Sequence, residues 1–347
     1  MTQNAYHALA LQARCHAVNG LDVAEARAQM LRSIERLGGL LSASLRFIGS
    51  DCRLVVLPEY VLTGFPAGED IAEWRAKAAI DPDGREYDAL SAIAARARIF
   101  LAGNAYETDP GFPGLYFQSS FLIDPAGTVV LRYRRLISLF APTPHDVWDR
   151  YFDRYGLEGV FPVADTAIGC IACVASEEIL YPEVTRAMAL RGAELIVHST
   201  GEAGSAELTP KEIARRARAF ENMLFVVSAN AGGIESPGVP AASTDGMSTI
   251  VDYKGRVLVK AGFGESMVAN AEIDLGALRR WRRRPGMENV LSRQRTEPFA
   301  ALYSAYSVYP ANTLDGGDRS EAVRSRSHFR ECQRQTIQRL IDSGVFR

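Results

Sequence analysis

Short apolar runs rich in β-branched residues recur along this chain, separated by segments of helix formers, and that alternation most restricts its fold. Leu54-Val55-Val56-Leu57 ends at Pro58-Glu59, and the stretch before it, Asp22 to Leu45, sets Ala26, Met30, Ile34 and Leu41 at helical spacing. Such a stripe lets a helix bury one face. Asp88 to Arg98 reads as a helix leading into Ile99-Phe100-Leu101-Ala102-Gly103. Pro210 to Asn222, another helix, separates the runs Leu195 to Ser199 and Leu224 to Ala229. Its Ile213, Ala217 and Phe220 share a face, with Arg215, Arg216 and Arg218 mostly off it. Ala5 to Val18 reads as a further strand. Hairpins are expected where Phe117 to Asp124 and Thr128 to Tyr133 flank Pro125-Ala126-Gly127, and where Ser248 to Asp252 and Arg256 to Val259 flank Tyr253-Lys254-Gly255. Strands alternating with helices, plus hairpins, predict an α/β protein with mixed sheets and helical outer layers.

With 347 residues, 47% of them hydrophobic, the chain can bury a large core without staples. A net charge of −2 supplies no attraction for nucleic acid or an anionic membrane. No apolar run reaches the roughly 18 residues of a membrane span, and the N-terminus lacks the basic-then-apolar pattern of a signal peptide. The five cysteines, Cys15, Cys52, Cys170, Cys173 and Cys332, are an odd number, which suits reduced thiols in a cytoplasmic protein. Around Trp281 the arginines 279, 280, 282, 283 and 284 read as a solvated or interface-facing arm, with anion binding as the alternative. The expected organisation is one domain over residues 1–277 and a C-terminal extension over 278–347, packed on the domain or on a partner subunit.

Three segments, taken in order and spacing, carry a resemblance. They are LVVLPEYVLTGFP at 54–66, GTVVLRYRRL at 127–136 and TAIGCIACVASEEILYPE at 166–183, the last continuing to Arg191-Gly192-Ala193-Glu194. Arg218 to Asn222 with Ser228 to Asn230, and Asp245 to Asp252 with Gly255, extend the match. Together they resemble the nitrilase, or carbon–nitrogen hydrolase, superfamily, up to about residue 275. The resemblance implies a four-layer α-β-β-α sandwich that associates as a homodimer or higher homo-oligomer. It also implies hydrolysis of nitriles or amides through an acyl-enzyme, on a small-molecule substrate, with no cofactor and no metal.

In that comparison Glu59 matches the general base, Arg135 stands where the family keeps a lysine, and Ser176 stands where it keeps the nucleophilic cysteine. Arg134 is the alternative if the alignment shifts. Arginine keeps the positive charge needed at an oxyanion but cannot release a proton. Register fixes the serine, because Gly169 and Pro182 flank it as the family spaces them. Cys170 and Cys173 sit earlier, inside an apolar strand, and read as core filler rather than a redox or metal pair. A serine hydroxyl is a far weaker acid than a thiol, whose pKa is about 8.5, so it needs strong base assistance.

Further candidates near the substrate are Asp146, to orient water or the leaving amine, His145, to assist Ser176 as a base, and Glu178. The competing reading of the 145–148 loop is a helix start with Asp146 capping and Trp148 packed. His198 reads as a satisfied core histidine. The sequence thus points to a carbon–nitrogen hydrolase-type enzyme acting on a small linear amide or related acyl compound through Ser176, with Glu59 as base and Arg135 on the oxyanion. The alternative is a catalytically inactive relative that binds a small carboxylate or amide, clamped bidentate by Arg135, or that regulates a partner.

Overall fold

The apolar runs pair into two six-stranded mixed sheets. The computed structural model describes residues 5–315 and 326–347. First come β1 (Ala5–Ala10), β2 (Cys15–His16), α1 (Val23–Ile48), β3 (Cys52–Val56), α2 (Ile71–Ala78) and α3 (Arg85–Ala97). A meander of β4 (Phe100–Thr108), β5 (Tyr116–Ile123) and β6 (Val129–Arg134) follows. Then α4 (Trp148–Val160) leads to β7 (Ala164–Thr166), β8 (Gly169–Ala175), α5 (Pro182–Leu190), β9 (Leu195–Ser199), α6 (Pro210–Asn222) and β10 (Phe225–Ala229). The chain continues through β11 (Ile234–Glu235), β12 (Thr249–Val251), β13 (Val257–Lys260), β14 (Asn270–Asp274), α7 (Leu275–Arg282), α8 (Glu297–Ala305) and α9 (Arg326–Asp342).

One sheet runs β14-β1-β3-β4-β5-β6 and the other β13-β12-β10-β9-β8-β7. In each the central strands are parallel, β1-β3-β4 and β10-β9-β8. Side-chain alternation along β3 shows the layering. Leu54 and Val56 face the second sheet's Ala172, Val174 and Ile196, while Val55 joins the core under Met30 and Ile34 of α1 and Leu90 of α3. With α5 and α6 against the other sheet, the order is helix, sheet, sheet, helix, the four-layer α/β sandwich expected. Each fully buried leucine or isoleucine in these layers contributes roughly 1.5–3 kcal/mol.

Local signals set the boundaries. Asp22 and Glu25 form a capping box at the start of α1. Thr209 caps α6, Pro210 fills its first turn, and Met223 ends it in the left-handed region. Two expectations about these elements change. Ala5 to Val18 is not one strand but β1 and the two-residue β2, which pairs with β11 in a separate ribbon. The stripe on α6 faces outward: Ile213 is 55% exposed and Phe220 44%, while Arg215 and Arg218 are buried. Those arginines are held by acceptors. Arg215 pairs with Glu202, and Arg218 donates to the carbonyls of Ile179 and Leu180. Small Ala214 and Ala219 complete the inner face.

The arginine-rich segment is largely committed to the domain. Arg279 chelates Glu194 at 2.6 and 2.8 Å, Arg282 donates to the carbonyls of Ala193 and Met223, and Arg284 stacks over Trp281. The expected 277/278 boundary falls within α7, whose Leu275 and Leu278 are both buried in the main core. Of the extension beyond it, residues 316–325 lie outside the described residues. Among the described residues no helix is long and apolar enough to cross a membrane.

Candidate active site

Parallel strands of an α/β sheet deliver their carboxyl ends to one edge, where ligands bind. Here β3 runs into Glu59 and β8 into Ser176, and the two edges are stitched together. Glu59 N–H donates to the Thr200 carbonyl at 3.3 Å, Ser199 Oγ to the Leu57 carbonyl at 2.8 Å, and Tyr60 Oη to the Gly201 carbonyl at 3.1 Å. Both edges turn sharply, with Tyr60 at φ 39° and Ser176 at φ 49°. Left-handed backbone at a non-glycine residue costs on the order of 1–3 kcal/mol and persists only where neighbours hold it. At Ser176 the holder is His198. Its Nε2 lies 2.9 Å from the Ser176 carbonyl, and its Nδ1 lies 2.8 Å from Ser228 Oγ on the adjacent strand. Burial keeps His198 well below its ordinary pKa. A carbonyl only accepts, so Nε2 carries the proton and the Ser228 hydroxyl donates to Nδ1.

Arg135 follows β6 directly and carries the centre of a buried charge cluster. Its Nε donates to the Ile137 carbonyl at 2.7 Å, and its Nη1 to Gln118 Oε1 at 2.5 Å and Glu59 Oε1 at 3.2 Å. Nη2 pairs with Glu177. Gln118 in turn donates to Glu59 Oε1 at 2.7 Å and to Asn104 Oδ1 at 2.9 Å. Burial raises the Glu59 pKa, with Arg135 and Lys211 opposing. The other carboxylate oxygen of Glu59 is buried and meets no donor among the described residues. Burial acts to lower the Arg135 pKa, but Glu177 and Glu59 outweigh it and hold the guanidinium firmly charged.

Opposite this wall stands a cation that sequence reasoning missed. Lys211, the second residue of α6, places Nζ 3.3 Å from Ser176 Oγ and 3.2 Å from Thr200 Oγ1. Burial lowers its pKa, Glu59 and Glu177 pull it back up, and Arg135 adds to the lowering. One signal was available. The chain has only four lysines, Lys77, Lys211, Lys254 and Lys260, among its 39 basic residues.

Glu59, Arg135, Ser176 and Lys211 line one cavity of about 320 Å3, walled by Tyr60 and Tyr106 among others. Glu178, Asp146 and His145 do not line it. Glu178 is spent on backbone: it accepts from Leu136 N–H at 2.7 Å, Ile137 N–H at 3.2 Å and Ala175 N–H at 3.2 Å, and from Tyr133 Oη at 2.8 Å. It thereby ties the Arg135 loop to the Ser176 turn, and burial pushes its carboxyl up to about 7. Asp146 accepts from Thr143 N–H at 2.9 Å, Thr143 Oγ1 at 2.8 Å and Thr313 Oγ1 at 2.6 Å, and so closes a turn instead of facing substrate. His145 lies between the rings of Trp148 and Tyr309. Cys173 is fully buried on β8, Cys170 is partly exposed, and burial raises both thiols, which opposes thiolate formation. Among the described residues no cluster of His, Cys, Asp and Glu is placed to hold a metal.

Known proteins share this arrangement of elements. The carbon–nitrogen hydrolase family model matches residues 15–283, well over half of the chain. A formamidase of Bradyrhizobium diazoefficiens is 27% identical over 76% of this chain and 72% of that protein. The omega-amidase NIT2-B of Xenopus laevis is 24% identical over 55% of this chain and 67% of that protein. Among solved structures, a carbon–nitrogen hydrolase from Helicobacter pylori G27 superposes with a TM-score of 0.66 at 22% identity, covering 87% of this chain and all of that one. An amidase from Nesterenkonia sp. gives a TM-score of 0.59 at 19% identity, covering 87% of this chain and 97% of that one. The extent of the family match and the shared four-layer fold place this chain in the carbon–nitrogen hydrolase family.

Proposed function

We propose that the chain cleaves a carbon–nitrogen bond of a small linear amide, or a related acyl compound, by acyl transfer to Ser176. By the sequence resemblance Ser176 and Arg135 stand where a cysteine and a lysine are expected, and Glu59 where the general base is expected. One observation carries this reading. Ser176 Oγ sits on a left-handed turn in a cavity that also holds Glu59, Arg135 and Lys211. That combination brings a nucleophile, proton-transfer groups and positive charge together at one place. Formamidases and omega-amidases among the relatives support a small amide as the substrate class. The binder alternative asks Arg135 to clamp a carboxylate, but its fork is already engaged by Glu59, Gln118, Glu177 and the Ile137 carbonyl.

The experiment is intact-protein mass after mixing with p-nitrophenyl acetate and a panel of short-chain amides. An acetyl adduct on the wild-type chain, absent from Ser176→Ala, with turnover falling at least about a thousandfold, is the expected outcome. No adduct together with equal turnover in Ser176→Ala overturns the proposal.

We also infer that the working form is a homodimer or higher homo-oligomer. Leu190, at the end of α5, is 57% exposed, and Ile213 and Phe220 are exposed on α6. A row of large apolar side chains on neighbouring helices supports burial against a second copy.

A further inference from the structure

Ser176 has a direct side-chain neighbour that the family resemblance does not assign. Lys211 Nζ is 3.3 Å from Ser176 Oγ, and its second acceptor, Thr200 Oγ1 at 3.2 Å, fixes the direction of the amine. Glu59, by contrast, has Oε1 occupied by Gln118 and Arg135, and no hydrogen bond to Ser176 is formed among the described residues. Arg135 cannot take a proton, whereas a lysine can. The other three lysines are engaged elsewhere: Lys77 with Glu73, Lys254 over the Trp281 ring, and Lys260 with Glu212.

We propose that Lys211 Nζ, not Glu59, exchanges the proton with Ser176 Oγ, so that the two form a serine–lysine dyad; this rests on acyl transfer to Ser176 as proposed above. Serine–lysine pairs perform this chemistry on unrelated folds. In the working state Lys211 is a neutral amine, and the hydrogen bond runs from the Ser176 hydroxyl to Nζ. Oγ bonds to the acyl carbon, its proton moves to Nζ, and the carbonyl π pair goes to oxygen. As the tetrahedral species collapses, the carbon–nitrogen bond breaks and Nζ–H gives that proton to the departing nitrogen, leaving an ester on Ser176 and ammonia or an amine. Water then attacks the ester, loses a proton to Nζ, and Nζ returns it to Oγ as the carboxylic acid leaves.

The surroundings suit a lysine that gives up its proton readily. It is partly buried, it stands in the first turn of the 13-residue helix α6, and Arg135 stands nearby. Each disfavours the ammonium, since the amino end of a helix is its positive pole. Glu59 from the end of β3 and Glu177 beside Ser176 face it and oppose that loss. Glu212, its neighbour on α6, is taken by Lys260 at 2.9 Å.

The test compares wild type, Lys211→Arg and Lys211→Ala, each checked by circular dichroism and thermal melt, with acylation by p-nitrophenyl acetate followed by mass. Arginine keeps the charge but cannot accept the proton. The expected result is a fall of about a hundredfold to ten-thousandfold in acylation for Lys211→Arg. Ethylamine then restores part of the rate to Lys211→Ala, and wild-type kcat/KM rises with pH through a value below lysine's ordinary 10.5. Acylation of Ser176 in Lys211→Arg within a few fold of wild type, with an unchanged pH profile, overturns the dyad while leaving acyl transfer standing. If Lys211→Arg does not fold, failure of ethylamine to accelerate a folded Lys211→Ala decides against the dyad. An unacylated wild-type Ser176 removes both proposals.

Discussion

The two walls of the cavity are built on opposite terms. On the first sheet's side, Arg135 has Nε, both contacts of Nη1 and one contact of Nη2 filled, and Gln118 cements it to Glu59. On the second sheet's side, Lys211 meets only hydroxyl oxygens among the described residues, at 3.2 and 3.3 Å. A buried charge with nearly all its donors matched holds its neighbours in place, because removing it strands them. A loosely held amine beside a hydroxyl is free to trade protons. The difference separates scaffold from chemistry within one set of buried polar groups.

Replacing one cation at a time tests that division most severely. Arg135→Met leaves Glu59 and Glu177 without their buried partner, and unfolding in urea is expected to show a loss of about 3–5 kcal/mol. Lys211→Met is expected to stay within about 1 kcal/mol of wild type while losing acylation. The opposite pattern, with Lys211→Met collapsing and Arg135→Met folding normally, breaks the comparison.

Glu178 sharpens it on the side of structure. Folding raises its carboxyl from the ordinary 4.5 to about 7, so the native state binds that proton more tightly than the unfolded one. Its contribution is therefore complete below about pH 4.5, declines between there and pH 7, and is flat above. Glu178→Gln sets an amide NH2 against the Ala175 N–H that a carboxyl oxygen now accepts, and is expected to cost about 1–3 kcal/mol at pH 4.5. The gap to wild type then narrows toward pH 7.5 in paired urea titrations. A gap that widens with pH contradicts the assignment. The smallest effect belongs to the outer layer. Ile213→Asp is expected to change the stability of a single chain by no more than about 0.5 kcal/mol while shifting sedimentation toward monomer. A wild-type chain that sediments as a monomer removes the association proposal.

Much of this was legible in the sequence. β-Branched runs are too short and too apolar for amphipathic helices, so β3, β9 and β10 stood out, and Pro210 marked where α6 begins. Spacing around Gly169 and Pro182 located Ser176, and the structure brings it into one cavity with Glu59 and Arg135. Lys211 was invisible because it reaches Ser176 across 35 residues, from a different helix. Periodicity also could not orient α6. It tells which side chains share a face, not which face turns inward, and here arginines with acceptors took the inside. Asp146 and Glu178 misled for a related reason. A carboxylate in a loop looks the same whether it meets substrate or caps backbone, and only the folded chain supplies the N–H groups that decide it.

The cavity's size carries its own consequence. At about 320 Å3, with Phe65 and Phe140 lining it alongside Tyr60 and Tyr106, it lies at the small end of ligand sites, which run from roughly 300 to 1,000 Å3. Under the acyl transfer proposed above, bulk decides admission before any proton moves, and a cavity of this size favours compounds of few heavy atoms.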